Sequence, residues 1–349
     1  MPKLRAAASS LRRTFGEPAA AGPGAALSIG LCAAIVAASV QEPRVLTIRL
    51  AAGRGAAEAT EALPSGPLEA EHRTLEIGLR AWVERQTSQT LGYVEQLYTF
   101  GDRNRAMGGG IGVGGLALPA LVVAYLALAR EARPAESTEA EWHSWYRYFP
   151  WEDWRQGKPP LLGPLEARLA EWAAATGGER ERRLREERLG LAFGRHGLSW
   201  SEELVLERYE LFYEAGLVAE ASRDLGRKEA PLDRGASGVV MASDHRRILA
   251  TAIGRLRGKI KYRPVVFELM PPAFTLLQLQ RTVEALAGVR LHKQNFRRLV
   301  EQQGLVEETG AVSAQTGGRP ARLVRFRREV LLERPAPGLR LRAGRRPAG

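Results

Sequence analysis

The sequence predicts an α/β layer, then a mostly helical stretch, then a winged helix-turn-helix at the C-terminal end. Three observations carry that prediction. Apolar strand-like runs flank one amphipathic helix between residues 25 and 130, which marks an α/β layer. A helix, a tight turn, a basic helix and a basic β-hairpin follow one another between Phe274 and Phe326. The charge is also segregated. Residues 245–349 carry 22 Lys and Arg against 7 Asp and Glu, a balance of +15, while the preceding 244 residues carry 29 against 32, or −3. A field of that sign beside a helix-turn-helix suits a phosphate backbone.

The C-terminal pattern is the most detailed. Thr275 can cap a helix whose Leu276, Leu279, Val283 and Leu286 recur every three or four positions, and Gly288 stops it. A second helix runs from about His292 to Gln303, with Phe296, Leu299 and Val300 on its inner face. Its outer residues Lys293, Gln294, Asn295, Arg297 and Arg298 sit where a recognition helix meets base edges. Asn and Gln suit adenine and Arg suits guanine, although any of them can instead touch phosphate or form an ordinary solvated face. Thr275 and Gln278 are candidates for placing the first helix on the backbone. A strand from Ala321 to Arg328 follows Gly317-Gly318, with Arg319 at the wing tip facing a minor groove and Arg322 and Arg325 as phosphate contacts.

The rest of the 349 residues divides by composition. Residues 1–24 read as a mobile arm, and 25–50 as two strands joined by a polar turn around Gln41–Arg44. Residues 51–65 read as a surface loop, and Thr74 to about Arg85 as a helix with Leu75, Leu79 and Trp82 on one side. Gly92–Phe100 and Leu121–Leu128 read as further strands. The uncharged run 106–129 is long enough to span a bilayer, but its Gly-rich first half and Pro119 favour a loop entering a buried strand. The apolar run 25–40 behind an Arg-bearing start is likewise read as a strand pair instead of a secretory leader. Cys32 is the single cysteine, so no internal disulfide and no Cys-based metal site is available, and the five histidines are scattered. A reducing compartment and a metal-free DNA-binding domain are expected.

Residues 131–242 read as a mostly helical insertion. Glu141–Trp154 holds four of the seven tryptophans with Tyr146, Tyr148 and Phe149, a set that either docks the insertion or stacks on a base. Docking is the expected role. Gly177–Arg188 reads as a solvated helix, and Glu203–Val218 as an amphipathic one. Residues 243–262 form a linker helix capped by Ser243 or Asp244. Its apolar stripe is Leu249, Ile253, Leu256 and Ile260, and its other faces carry His245, Arg246, Arg247, Arg255, Arg257, Lys259 and Lys261. Residues 263–334 make up the winged helix, and 335–349 a disordered basic tail.

The stretches YVEQLYTFGDRNR (Tyr93–Arg105), VVAYLAL (Val122–Leu128) and DHRRILATAIGRLRGKIKYRPVVFELMPPAFTLLQLQ, continuing into NFRRLV and GGRPARLVRF, resemble Nudix-related bacterial transcriptional regulators of NAD metabolism, of the NrtR/NadQ type. The long insertion resembles the NadQ-like branch. The resemblance implies a Nudix-like α/β/α sandwich over residues 25–130 and a cytoplasmic homodimeric repressor acting on a palindromic operator. A Nudix box laid from Gly66 places His72 at the first Glu, Arg80 at the Arg, Ala81 at the next Glu and Trp82 at the apolar position. Glu84 falls on the first of the Glu pair, while Arg85 and Thr87 replace its second member and the Gly. Nudix hydrolysis needs several carboxylates on one helical face to hold Mg²⁺, so a catalytically silent sensor with no cofactor is expected. The rival, an active hydrolase, would rebuild the site from Glu69, Glu71 or Glu76. The expected effector is a nucleotide such as NAD, ADP-ribose or ATP, taken by Arg80, Glu84, Tyr98, Phe100, Asp102, Arg103 and Arg105. Arg80 with Glu84 could equally be a plain i,i+4 pair, and His72 a surface residue.

Overall fold

The computed structural model describes residues 28–50, 60–101, 120–130, 140–224, 234–313, 320–333 and 337–339. Two long apolar strands form its centre: β1 (Ser28–Ala38) runs parallel to β6 (Ala120–Leu128), from Ser28 opposite Ala120 to Val36 opposite Leu128. β2 (Pro43–Leu50) and β5 (Tyr93–Gly101) flank them antiparallel, giving the order β3-β2-β1-β6-β5 with β3 at Thr60–Ala62. A short strand β4 (Ser65–Pro67) pairs with β1. Residues 60–65, expected as part of a surface loop, therefore contribute β3 and the first residue of β4 to the sheet.

The sheet is covered on both faces, which is why its central strands read as continuous apolar runs. Leu31, Ala33 and Ile35 alternate with Cys32, Ala34 and Val36, and the two sets fall into different cores. The first set packs with Leu79 and Val83 of α1 (Leu75–Thr87). Thr74 caps that helix by accepting the N–H of Ile77 at 3.2 Å, and Ser88 ends it at φ 55°. The second set faces the helix His245–Tyr262 and the insertion. Burial pushes the Cys32 thiol pKa up, as expected for a core residue. Among the described residues no helix is long and apolar enough to cross a membrane.

The insertion is not simply a helical appendage. Its first element, β7 (Ala140–Ser144), joins the main sheet antiparallel to β2, with Leu46 opposite Trp142. Two 3-10 turns follow, Trp145–Arg147 and Pro150–Glu152, and then α2 (Leu162–Ala174), α3 (Glu179–Phe193), α4 (Val205–Glu214), α5 (Ala219–Asp224) and α6 (Arg234–Ser237). Trp145, Tyr148, Phe149 and Trp151 are buried. Phe149 meets Trp151 and Tyr209 edge-on, both at 6.1 Å between ring centroids, and Trp151 lies 4.5 Å from Phe212. The aromatic cluster is thus core that docks the insertion onto the body.

Helix α7 (His245–Tyr262) runs through that core, with Leu249, Ile253, Leu256 and Ile260 buried as expected. Two of its charged residues correct the sequence reading. Arg246 and Arg257 do not face water: both are buried, Arg246 pairing with Glu220 at 3.1 Å and Arg257 with Glu152 at 2.6 Å. His245 is buried too, its Nδ1 accepting the N–H of Leu63 at 2.9 Å, and burial lowers its pKa from 6.5 to about 4. Asp244 makes no side-chain cap; its carboxylate holds Arg247 at 2.6 Å. At the far end Pro337–Leu339 also depart from the expected disordered tail. Leu339 is buried, and its N–H donates to the Ile260 carbonyl at 3.1 Å.

Candidate nucleic-acid interface and nucleotide site

The C-terminal unit is built as its sequence suggests. Helix α8 (Leu276–Ala287) opens on a reciprocal cap in which Thr275 Oγ1 accepts the Gln278 N–H at 3.1 Å. Gln278 Oε1 in turn accepts the Thr275 N–H at 2.7 Å. The helix ends at Gly288, φ 72°. Helix α9 (Lys293–Gln302) follows, then β8 (Val306–Ser313) and β9 (Ala321–Phe326), paired antiparallel with a register shift between Glu308 and Val312. Phe274 bridges Val324 from the other side, so the wing has a third, single-residue strand. Phe296 and Val300 anchor α9. The ring of Phe267 stacks on Phe326 at 4.3 Å, which fixes the hairpin against the 3-10 turn Val265–Glu268.

Lys293, Gln294, Asn295, Arg297 and Arg298 are all exposed on α9, and no described acidic residue pairs with its three cations. The wing arginines differ. Arg322 pairs with Glu308 at 2.6 Å and Arg325 with Glu307 at 2.5 Å, each across the hairpin. Thr275 is buried and its hydroxyl is engaged in the cap, as is the Gln278 amide, so both have an internal role that accounts for them. Arg319 lies outside the described residues.

The sequence reading passed over what holds the turn between the two helices. Glu284 is buried inside α8. Its Oε1 accepts the Leu291 N–H at 3.0 Å and the Gln280 amide at 2.9 Å, and its Oε2 takes Arg290 at 3.0 Å. Gln280 also donates to the Leu291 carbonyl at 3.1 Å. A glutamate in an apolar helix, six residues before an arginine across a Gly turn, was the available signal.

In the body, the expected nucleotide residues do not form one group. Arg80 and Glu84 lie on α1. Phe100 packs into the core on the opposite face of the sheet, and Tyr98 lines a cleft of about 360 Å³ with Arg255, Gly254 and Tyr262 of α7. Arg80 is held by Glu76 at 2.8 Å, not by Glu84, and donates to the Leu91 and Gly92 carbonyls. Asp102, Arg103 and Arg105 lie outside the described residues. The Nudix-box positions are structural. Trp82 covers Gly66, where an added Cβ would sit 2.1 Å from the indole, and donates from Nε1 to the Pro67 carbonyl at 2.7 Å. His72 is not a surface residue, since its side chain is 6% exposed and its Nδ1 accepts the Glu69 N–H at 3.1 Å.

The described residues of the box region do not fit a Mg²⁺ site. Glu69 is taken by Arg85 at 2.9 Å and Glu76 by Arg80, leaving Glu84 and Glu71 without company. No group of three His, Cys, Asp or Glu side chains among the described residues could hold a metal ion. A diphosphate-bound divalent ion needs several such oxygens.

Comparison with known proteins agrees with the C-terminal geometry. Residues 266–326 match the family model of the NrtR DNA-binding winged helix domain. A curated relative from Acinetobacter baylyi, named ADPR responsive transcriptional repressor NtrR, is 44% identical over 86 residues, 25% of this chain and 34% of the relative. The match thus spans about a third of that relative's length. Among solved structures, Shewanella oneidensis NrtR complexed with a 27mer DNA aligns with TM-score 0.51 at 18% identity over 86% of this chain and 94% of that one. A second crystal structure of Shewanella oneidensis NrtR gives TM-score 0.50 at 19% identity, over 86% of this chain and 95% of that one. At those identities the alignments establish the fold. Residues 266–326 are therefore a winged helix of the NrtR DNA-binding class, and the chain as a whole shares the fold of NrtR.

Proposed function

We propose that this chain is a DNA-binding transcriptional repressor whose Nudix-type body senses a nucleotide without hydrolysing it, and that ADP-ribose is the effector. One observation carries the reading: α9 projects Lys293, Asn295, Arg297 and Arg298 to solvent, unpaired by described acids, in a domain of the NrtR DNA-binding class. Charged side chains without internal partners are available to bases and phosphates. The choice of ADP-ribose over NAD or ATP rests on the relative named ADPR responsive. The absence of hydrolysis rests on the carboxylates of the box region, of which Glu69 and Glu76 are already held by arginines.

A homodimer reading a palindromic operator near NAD-biosynthesis genes, in the cytoplasm, completes the proposal. Helix-turn-helix proteins reach two half-sites through such symmetry. The ligand changes repression only by binding the DNA-competent and DNA-incompetent forms with different affinity. The test is capture of genomic fragments by purified protein at physiological salt, repeated with NAD, ADP-ribose and ATP. Enrichment of specific promoters that ADP-ribose alone alters is the expected result; equal capture of all fragments refutes the reading. Incubation with Mg²⁺ and ADP-ribose should release no AMP.

A further inference from the structure

The carbonyl groups at the C-terminal end of a helix have no partner within the helix and must find one elsewhere. In α8 those partners come from the body of the protein. Tyr146 of the aromatic turn donates its hydroxyl to the Ala285 carbonyl at 2.7 Å. Arg257 of α7 donates from Nε to the Leu286 carbonyl at 2.9 Å. The Trp154 backbone N–H donates to the Gly288 carbonyl at 2.7 Å. The approach is close enough that a Cβ on Gly288 would lie 2.4 Å from the Glu152 carbonyl oxygen.

This seat is itself braced. The Glu152 carboxylate sits between Arg208 of α4, at 2.5 Å, and Arg257, at 2.6 Å, all three side chains at most 1% exposed. Arg208 donates further to the Ala192 and Ser201 carbonyls, both at 2.9 Å. The chain of contacts runs from the insertion, through Glu152, to the turn that separates the two helices of the helix-turn-helix. Bonds to three carbonyls of the last turn and its cap, from donors on two separate segments of the body, restrain the roll of the helix as well as its position.

We propose that the aromatic turn of the insertion, with Tyr146, the Trp154 amide and Arg257 as positioning residues, is the seat that sets the orientation of the helix-turn-helix, and that the effector signal reaches α9 through it. The inference rests on the repressor reading above for its second half only. Linker helix α7 supplies one of the three hydrogen bonds through Arg257 and the insertion the other two, while α8 also lies against β1 and β2 of the sheet.

The full-length chain carrying Tyr146→Phe, and separately Tyr146→Phe with Arg257→Lys, tests both halves. Phe keeps the ring and removes only the donor to α8, whereas Lys keeps a charge beside Glu152 but gives up the Arg257 bonds to the Glu202 and Glu152 carbonyls along with the one to Leu286. Amide hydrogen exchange at Trp154 and over Gly288–Leu291 should rise by about fivefold or more in the double variant, with β1 and β6 unchanged. The ratio of operator affinities without and with ADP-ribose should fall toward one by about threefold or more. Arg298→Ala, by contrast, should lower affinity and leave the ratio alone. Unchanged exchange at Trp154 in the double variant overturns the seat. Raised exchange with a wild-type ratio shows an anchor that carries no signal, which overturns the transmission. If the unmodified protein discriminates no promoter and ignores ADP-ribose, the repressor reading fails, and the exchange measurement still decides the seat.

Discussion

Replacing Glu152 by Ala removes the only carboxylate between two guanidinium groups that water does not reach. Arg208 is 1% exposed and Arg257 2%. Without Glu152, Arg208 retains the Ala192 and Ser201 carbonyls and Arg257 those of Leu286 and Glu202, which satisfy hydrogen bonds but not charge. Breaking a buried pair from one side typically costs about 3–5 kcal/mol. At about 2–4 °C per kcal/mol for a domain of moderate size, the melting temperature should fall on the order of 10 °C. Urea unfolding followed by tryptophan fluorescence measures this directly, since Trp145 and Trp151 are buried in the same core. The pH dependence adds an independent check. Burial alone would raise the Glu152 pKa, but Arg208 and Arg257 hold it below its ordinary value of 4.5. A carboxylate depressed in the folded state contributes stability above the unfolded pKa and loses it as pH falls through the folded one. Glu152→Gln should therefore remove that part of the acid limb below about 4.5. A loss under about 1 kcal/mol for Glu152→Ala would mean that the two arginines are solvated and that the bracing argument is wrong.

Other outcomes follow from the same contacts. Arg298→Ala should narrow the ratio of operator to random-duplex affinity by about 1–3 kcal/mol, whereas Arg322→Ala should weaken both about equally; fluorescence anisotropy on the two duplexes separates them. Loss of discrimination in Arg322→Ala alone would exchange their assigned roles. Glu284→Ala leaves the partly buried Leu291 N–H without its acceptor and the Gln280 amide with the Leu291 carbonyl alone, at about 1–3 kcal/mol, and should loosen the α8–α9 turn more than it unfolds the sheet. Unchanged exchange at Leu291 in that variant would remove Glu284 from the turn. His245, neutral because burial lowers its pKa from 6.5 to about 4, makes stability fall as pH drops between those values. The full loss is about 3 kcal/mol by pH 4, and His245→Gln should flatten that slope in a series of melts.

Much of the fold was legible because local chemistry and tertiary role coincide. Thr275 and Gln278 spell a capping box, Gly288 a left-handed stop, and the uninterrupted apolar residues of β1 and β6 a pair of strands buried on both faces. Reading failed where a partner lies far away in sequence. Arg246 and Arg257 looked like solvated helix residues because Glu220 and Glu152, which bury them, come from the insertion. β7 was missed because AEWHS has no strand-like signal of its own and is held by β2, nearly a hundred residues earlier. The solvent-facing side of α9 was readable from its pattern. The body residues were not, since Arg80 and Phe100 carry suitable chemistry but lie on opposite sides of the sheet.

In the proposed DNA complex two of the wing's arginines arrive already paired, because Glu308 and Glu307 hold the guanidinium groups of Arg322 and Arg325. To grip a phosphate, each arginine must let go of a carboxylate that then faces the same phosphate, so the hairpin gains little from any arbitrary stretch of DNA. In the proposed complex these two arginines would add a modest, sequence-blind share of the binding, and the choice of site would fall mainly to α9. A regulator arranged this way would leave non-cognate sites quickly and linger only where the bases answer.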